Sequence, residues 1–210
     1  MAPDVAVLRR YTDLPSVISL LRSKKLTLLD PASWEDKADA RFMARYKEQG
    51  QLSCLAALCF SMASETFHHW RIFSHGAGGV CVSFRTAALL DSLRDASGVL
   101  HNKVQYLKLT EIGQTVATLE QLPFAKRHAY RDEKEYRIIY RSKKRLQQPI
   151  SLEFPLASID RVTISPWLDA GRFAALKSTL LSIPGCSRLA VRRSTLMDNE
   201  KWGKFGDGAA

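Results

Sequence analysis

The chain contains no run approaching the eighteen or so consecutive apolar residues that a membrane-spanning helix needs, and its N-terminus lacks the basic-then-apolar layout of a secretory signal. A cytoplasmic protein without a membrane partner is therefore expected. Cysteine is scarce: Cys54, Cys59, Cys81 and Cys186 have no C-x-x-C spacing and sit among apolar residues, which fits buried free thiols and argues against structural zinc. His68 and His69 are adjacent and point apart, while His75, His101 and His128 are scattered, so no metal site is expected. A Cys–His nucleophilic pair stays open, since such partners meet in space rather than in sequence. There is no Walker phosphate loop, no G-x-S-x-G elbow, no H-E-x-x-H and no G-x-G-x-x-G after a strand, which removes the motif-based routes to several large enzyme classes. Internal repeats and low-complexity segments are also missing. Acids are outnumbered, 21 against 31 Lys and Arg, for a formal charge of +10. That field favours polyanionic partners, with DNA or RNA the commonest.

What is present is an ordinary folding composition: 210 residues, 46% hydrophobic and 25% charged. A single domain over 1–203 with a frayed tail at 204–210 is expected. After a strand near 5–11, Asp13 can cap a helix carrying Leu14, Val17, Ile18 and Leu21 on one face. A strand follows at 24–30, a helix over 35–48 closed by Gly50, and a buried strand in the apolar run at 54–61. Ser64 begins a short helix expected to turn Phe67, Trp70 and either Ile72 or Phe73 inward. "SHGAGG" breaks it, as a tight reversal or as a close backbone approach to a ligand. Strands at 80–84 and 103–109, a helix at 86–93 and a weaker one at 115–129 come next. Strands at 135–140, 150–154, 159–164 and 188–193 and a helix at 169–182 complete the pattern. Strands outnumber helices without alternating with them, so the class is α+β with a mixed or antiparallel sheet and flanking helices.

The stretch "RDEKEYRIIY" (131–140) sets Asp132, Glu133 and Glu135 in the most basic part of the chain. Residues 126–145 hold nine Lys or Arg and three acids. As a strand, it would send Glu133, Glu135, Arg137 and Ile139 to one face. Taken alone, the acids read equally as a surface salt-bridge cluster. The surrounding cations, Lys126, Arg127, Arg131, Arg141, Lys143, Lys144 and Arg145, read either as a solvated strand edge or as a phosphate-binding surface.

Three separated stretches carry a resemblance: "RRYTDLPSVISLLRSKKLTLLDPASWEDKAD" at 9–39, "AALCFS" with "HHWRIFSHGAGGVCVSF" within 56–84, and "YRDEKEYRI" at 130–138. Together they resemble the bacterial family known as domain of unknown function 2971, over most of residues 8–140. That family looks like a remote relative of the ADP-ribosyltransferases, including toxins that modify nucleic acid. The resemblance implies an ADP-ribosyltransferase-like fold, NAD as substrate, and a part in toxicity or phage defence. It maps the first-strand arginine onto Arg10, followed by Tyr11 and Thr12, a later strand serine onto Ser61, and a Glu-x-Glu onto Glu133 and Glu135. The full Ser-Thr-Ser triplet is absent, and Phe73 stands where an aromatic hydroxyl is wanted.

On that resemblance, Glu135 would face the positive charge that develops when nicotinamide leaves ribose, and Glu133 would face the acceptor. Arg10 would hold the pyrophosphate, Ser61 the nicotinamide-side ribose, and Tyr11, Trp70 or His75 would stack around a base. An aromatic on a short amphipathic helix is more often core, so Trp70 carries that reading too. The rivals are a non-catalytic basic domain that binds nucleic acid or protein, and a metal-independent nuclease-like effector.

Overall fold

A computed structural model describes residues 5–74, 76–110, 112 and 117–207. Eleven strands, β1 (Val7–Asp13), β2 (Lys25–Leu28), β3 (Cys54–Ser61), β4 (Gly79–Arg85), β5 (Val99–Lys103), β6 (Gln105–Leu107), β7 (Ala125–Arg127), β8 (Glu135–Ser142), β9 (Ile150–Glu153), β10 (Ile159–Ile164) and β11 (Val191–Arg193), are described. Six helices accompany them: α1 (Leu14–Ser23), α2 (Lys37–Gln49), α3 (Phe67–Phe73), α4 (Thr86–Ser92), α5 (Ala170–Leu181) and α6 (Glu200–Asp207). Seven strands form one sheet in the order β11-β10-β4-β1-β3-β8-β5, antiparallel except for β10 and β11. Two ribbons, β2–β9 and β6–β7, stand outside it. The class is α+β in a single domain with a mostly antiparallel sheet.

Local chemistry sets the helix starts. Asp13 caps α1 by accepting from the Ser16 N–H at 2.7 Å, and Asp36 caps α2 through Ala38 and Asp39. Thr66, rather than Ser64, caps α3. That shift turns the helix. Trp70 is buried as expected, with His69 beside it, whereas Phe67, Ile72 and Phe73 are exposed, against the expected inward face.

Two other expectations change. The strand expected at 103–109 is two short ones, β5 and β6, which join different sheets. The helix expected at 115–129 is a 3-10 segment, Leu119–Phe124, containing Pro123, followed by β7 and a second 3-10 segment, His128–Glu133. Proline cannot donate to a helix ladder and crowds the preceding turn, so the chain tightens and leaves the helix there. Of the expected tail, 204–207 belong to α6, and 208–210 lie outside the described residues.

The two faces of the main sheet differ. One carries a continuous apolar cluster built from alternate residues of the strands (Leu8, Leu58, Phe60, Val80, Val82, Phe84, Ile138, Val162) under α1, α4 and α5. The other carries two smaller clusters. Met43 and Tyr46 of α2 pack on Leu55, Ala57 and Ile139, whereas Trp70 of α3 packs on Tyr11 and Cys81. A polar row crosses the same face.

Candidate active site

The cross-strand register generates that row. Arg9 pairs with Ser83 of β4 and with Ser61 of β3, and Ser61 pairs with Glu135 of β8. Directly opposed residues share a face, so these side chains project to the same side. β1 and β3 share only the Arg9–Ser61 pair, whereas β1 is paired with β4 along its whole length and β3 with β8 along all of its own. Beyond that pair, the edge of β3 finds other partners. The Arg10 guanidinium donates to the Cys59 carbonyl at 3.2 Å, and Leu29 exchanges two backbone hydrogen bonds with Ala57, 3.0 and 2.8 Å. The sheet thus has a seam beside Ser61, and Arg10 lies in it.

On the β8 side of the seam is a buried ionic cluster. Arg137 is 0% exposed, and its five N–H donors all meet acceptors. Nε donates to Glu135 Oε1 at 2.7 Å and Nη2 to Glu135 Oε2 at 2.9 Å. Nη1 donates to Asp39 Oδ1 and to the Pro123 carbonyl, both at 2.9 Å, and Nη2 to Asp39 Oδ2 at 2.5 Å. Trp34 covers the guanidinium at 4.9 Å. Lys126 Nζ lies 2.6 Å from Glu133 Oε2, 3.3 Å from Glu135 Oε2 and 3.6 Å from Asp39 Oδ2. Three carboxylates thus share two cations.

Their protonation states are driven apart. Burial works to raise the Glu135 carboxyl, but the hydrogen bonds and charge of Arg137, with Lys126, hold it down at about 2. Burial raises the Glu133 carboxyl despite Lys126. Burial likewise raises Asp39 against the pull of Arg137. Lys126 goes up, because the neighbouring carboxylates outweigh its burial.

At the centre of the row, Ser61 ties three elements together. Its hydroxyl donates to the Glu133 carbonyl at 2.7 Å, accepts from the Ala63 N–H at 3.1 Å, and lies 3.1 Å from His69 Nε2. With its proton spent on Glu133, Ser61 accepts from Nε2–H, which leaves His69 Nδ1 to accept from the Thr66 hydroxyl at 2.5 Å. Burial lowers His69 and keeps the ring neutral. A Ser–His nucleophile would need the opposite polarity, with Nε2 as acceptor. Ser61 is therefore a saturated pin. Cysteine nucleophiles fare no better: burial pushes Cys59 well up and Cys81 up to about 12.

No family model matches the chain, and no curated protein matches it. Solved structures similar to this chain include complexes of Thermus sp. 2.9 DarT. The NAD+ complex has a TM-score of 0.46 at 10% identity over 92% of this chain and 98% of that one. The complex with ADP-ribosylated ssDNA has 0.47 at 12% over 91% and 95%, and the carba-NAD+ complex 0.45 at 12% over 91% and 97%.

Of the residues singled out in the sequence, Arg10, Ser61, Glu133 and Glu135 come together at the seam. Glu133 does so by another route than expected. It ends a 3-10 segment, not a strand, and Lys134 after it adopts a left-handed conformation (φ 45°). Thr12 pairs with Val80 and alternates onto the opposite face, away from the row. Tyr11 is buried between His69, stacked at 5.6 Å, and Trp70, edge-on at 5.2 Å. Trp70 is fully buried and donates through Nε1 to Glu65 at 2.7 Å. Neither ring has a face left for a base, so their stacking roles are corrected to core roles. His75 lies outside the described residues.

The basic stretch is not one patch. Lys126 points inward into the ionic cluster, which removes it as a phosphate contact. Arg127 and Arg131 are exposed near the start of β8, while Arg141, Lys143, Lys144 and Arg145 are exposed at and beyond its far end. The six strand residues 135–140, about 20 Å, lie between the two groups. A groove of about 560 Å³ lined by Glu65, Leu196, Asn199, Trp202 and Phe205 includes none of these residues.

Four further residues surround the seam: Asp39, Arg9, His69 and Tyr106. Asp39 had a signal. It shares the inward stripe of α2 with Met43 and Tyr46 at i, i+4 and i+7, and a carboxylate on an apolar stripe needs a buried cation. Arg9, whose guanidinium donates to the Ala63 carbonyl at 2.7 Å, was eclipsed by its neighbour in the chain.

Proposed function

We infer that this protein is an ADP-ribosyltransferase-like enzyme that uses NAD as a substrate and works at the seam, in keeping with the sequence likeness to domain of unknown function 2971. The observation that supports it best is the convergence of Arg10, Ser61, Glu133 and Glu135, distant along the chain, with one carboxylate forced down and its neighbour forced up. Carboxylates driven apart in this way divide the labour of an anion and a proton carrier. The residues also suit a dinucleotide. Among the described residues, neither Arg9 nor Arg10 has an ion-pair partner, each spending one hydrogen bond on a backbone carbonyl. Arg9, on the face of the row, fits a pyrophosphate oxygen, whereas Arg10 leaves β1 on the other face and reaches the seam at the Cys59 carbonyl.

In the reaction, the bond between ribose C1′ and the nicotinamide nitrogen breaks, and its electron pair stays with nicotinamide, which leaves neutral. Glu135, ionised at any physiological pH, faces the sugar carbon as positive charge develops. The acceptor's nucleophilic atom bonds to C1′, and its proton passes to Glu133. Arg127 and Arg131, exposed near Glu133, would draw a DNA or RNA acceptor to that end.

The test is nicotinamide release and acceptor labelling by the purified protein with NAD and single-stranded DNA, RNA or protein. Glu135→Gln should lower the rate about ten- to hundredfold, the worth of one charge-assisted hydrogen bond. Absence of release by the wild-type chain with every acceptor overturns the reading. One observation favours a second reading, a catalytically silent basic binding domain: both Glu135 oxygens already rest on Arg137. Under that reading, Glu135→Gln changes stability and leaves polyanion binding intact.

A further inference from the structure

The β6–β7 ribbon stands apart from the main sheet, and its register pairs Tyr106 with Lys126. Both partners reach Glu135. The Tyr106 hydroxyl accepts from the Glu135 N–H at 2.7 Å, and Lys126 Nζ lies 3.3 Å from the carboxylate. The same ammonium donates to Glu133 at 2.6 Å and rests 4.9 Å above the Tyr130 ring, with its side chain only 10% exposed. One cross-strand pair therefore grips Glu135 at backbone and side chain, and one of its members also grips Glu133. Among the described residues, Lys126 is the ion-pair partner of Glu133, since Arg137 is committed to Glu135 and Asp39.

We propose that Lys126 is a positioning residue: together with Tyr106, it fixes the spacing of Glu133 and Glu135 and keeps Glu133 able to take the acceptor's proton. This rests on the transferase reading of the same site. Two carboxylates that face each other in a part-buried site repel, and a cation between them sets both their separation and their charge. The groups facing Glu133 are Lys126 from β7, Glu135 and Arg137 from β8, Asp39 from α2, Tyr106 from β6 and His69 of α3 at its carbonyl, with Tyr130, Arg131 and Asp132 on its own segment. Without Lys126, one cation in place of two faces the three acids and Glu133 loses its ion-pair partner, so Glu133 holds a proton to higher pH.

The experiment compares wild type, Lys126→Met and Lys126→Arg, using the pH profile of nicotinamide release with the kcat and KM for NAD, and carboxyl-carbon NMR titration of Glu133. Lys126→Met should lower kcat about ten- to hundredfold with little change in KM, and move the acid limb of the profile to higher pH. Lys126→Arg should restore the limb more than the rate, because it returns the charge without the geometry. An unmoved limb in a folded Lys126→Met variant overturns the proposal, since a merely structural lysine would lower stability and leave the limb in place. If the wild type releases no nicotinamide, the transferase reading fails by itself. The NMR titration then decides the lysine's role: an upward shift of Glu133 in Lys126→Met supports the clamp, and an unchanged titration overturns it.

Discussion

Glu135 is the acid whose ionisation the fold depends on, and its stability contribution has a definite sign. Its folded value lies at about 2, below that of a free glutamate, so the stability it adds is complete above the free value and is lost as pH falls toward 2. Asp39 and Glu133 work the other way: with raised values, what they add is present in acid and fades as pH rises. Glu135→Gln should therefore cost stability at pH 6 and little near pH 2.5, a difference that urea unfolding at the two pH values measures. An equal penalty at both would place the charge of Glu135 outside the cluster's balance. Arg137→Leu should be harsher. It strands two buried carboxylates and should lower the unfolding free energy by about 3–5 kcal/mol, read from denaturant midpoints. At this scale, the sequence exposed the acids better than their partners. Glu135 and Arg137 follow from strand alternation, but Asp39 is 98 residues away from Arg137, and no local pattern couples them. Trp70 was legible in both its roles, and burial decided between them.

Among elements, the strands read well wherever apolar residues run unbroken, as in β3, β4 and β8. α1 and α2 read well where an aspartate cap precedes a periodic stripe. The failures lie where backbone geometry, not hydrophobicity, decides. Pro123 breaks the segment before β7, and Thr66 sets the rotation of α3. Lys134 belongs to the same class: its positive φ bends the chain so that Glu133 returns toward Glu135. A β-branched side chain tolerates that conformation poorly, so Lys134→Val should lose about 1–2 kcal/mol while Lys134→Gly is neutral or better. Thermal unfolding of the pair checks it. If valine is as well tolerated as glycine, the turn is not what shapes this end of β8.

For the whole molecule, charge that is contiguous in sequence is divided in space. Polyanion capture at the seam should depend on Arg127 and Arg131, and neutralising both should weaken single-stranded DNA binding and reduce its log–log salt slope by roughly 0.7 per lost contact. Changing Lys143, Lys144 and Arg145 should leave labelling at the seam largely intact, which filter binding and acceptor labelling together would reveal. A larger effect from the distal group would move the nucleic-acid path to the other end of β8.

The ionic cluster borders the apolar cluster under α2 on one side of the sheet. Hydrocarbon at those positions would extend that apolar body. A variant carrying leucine or methionine at Asp39, Lys126, Glu133, Glu135 and Arg137 should melt at a higher temperature than the natural chain while being chemically mute, because desolvated ions hold a protein together less well than grease of equal volume. The natural chain keeps charge there at the expense of robustness.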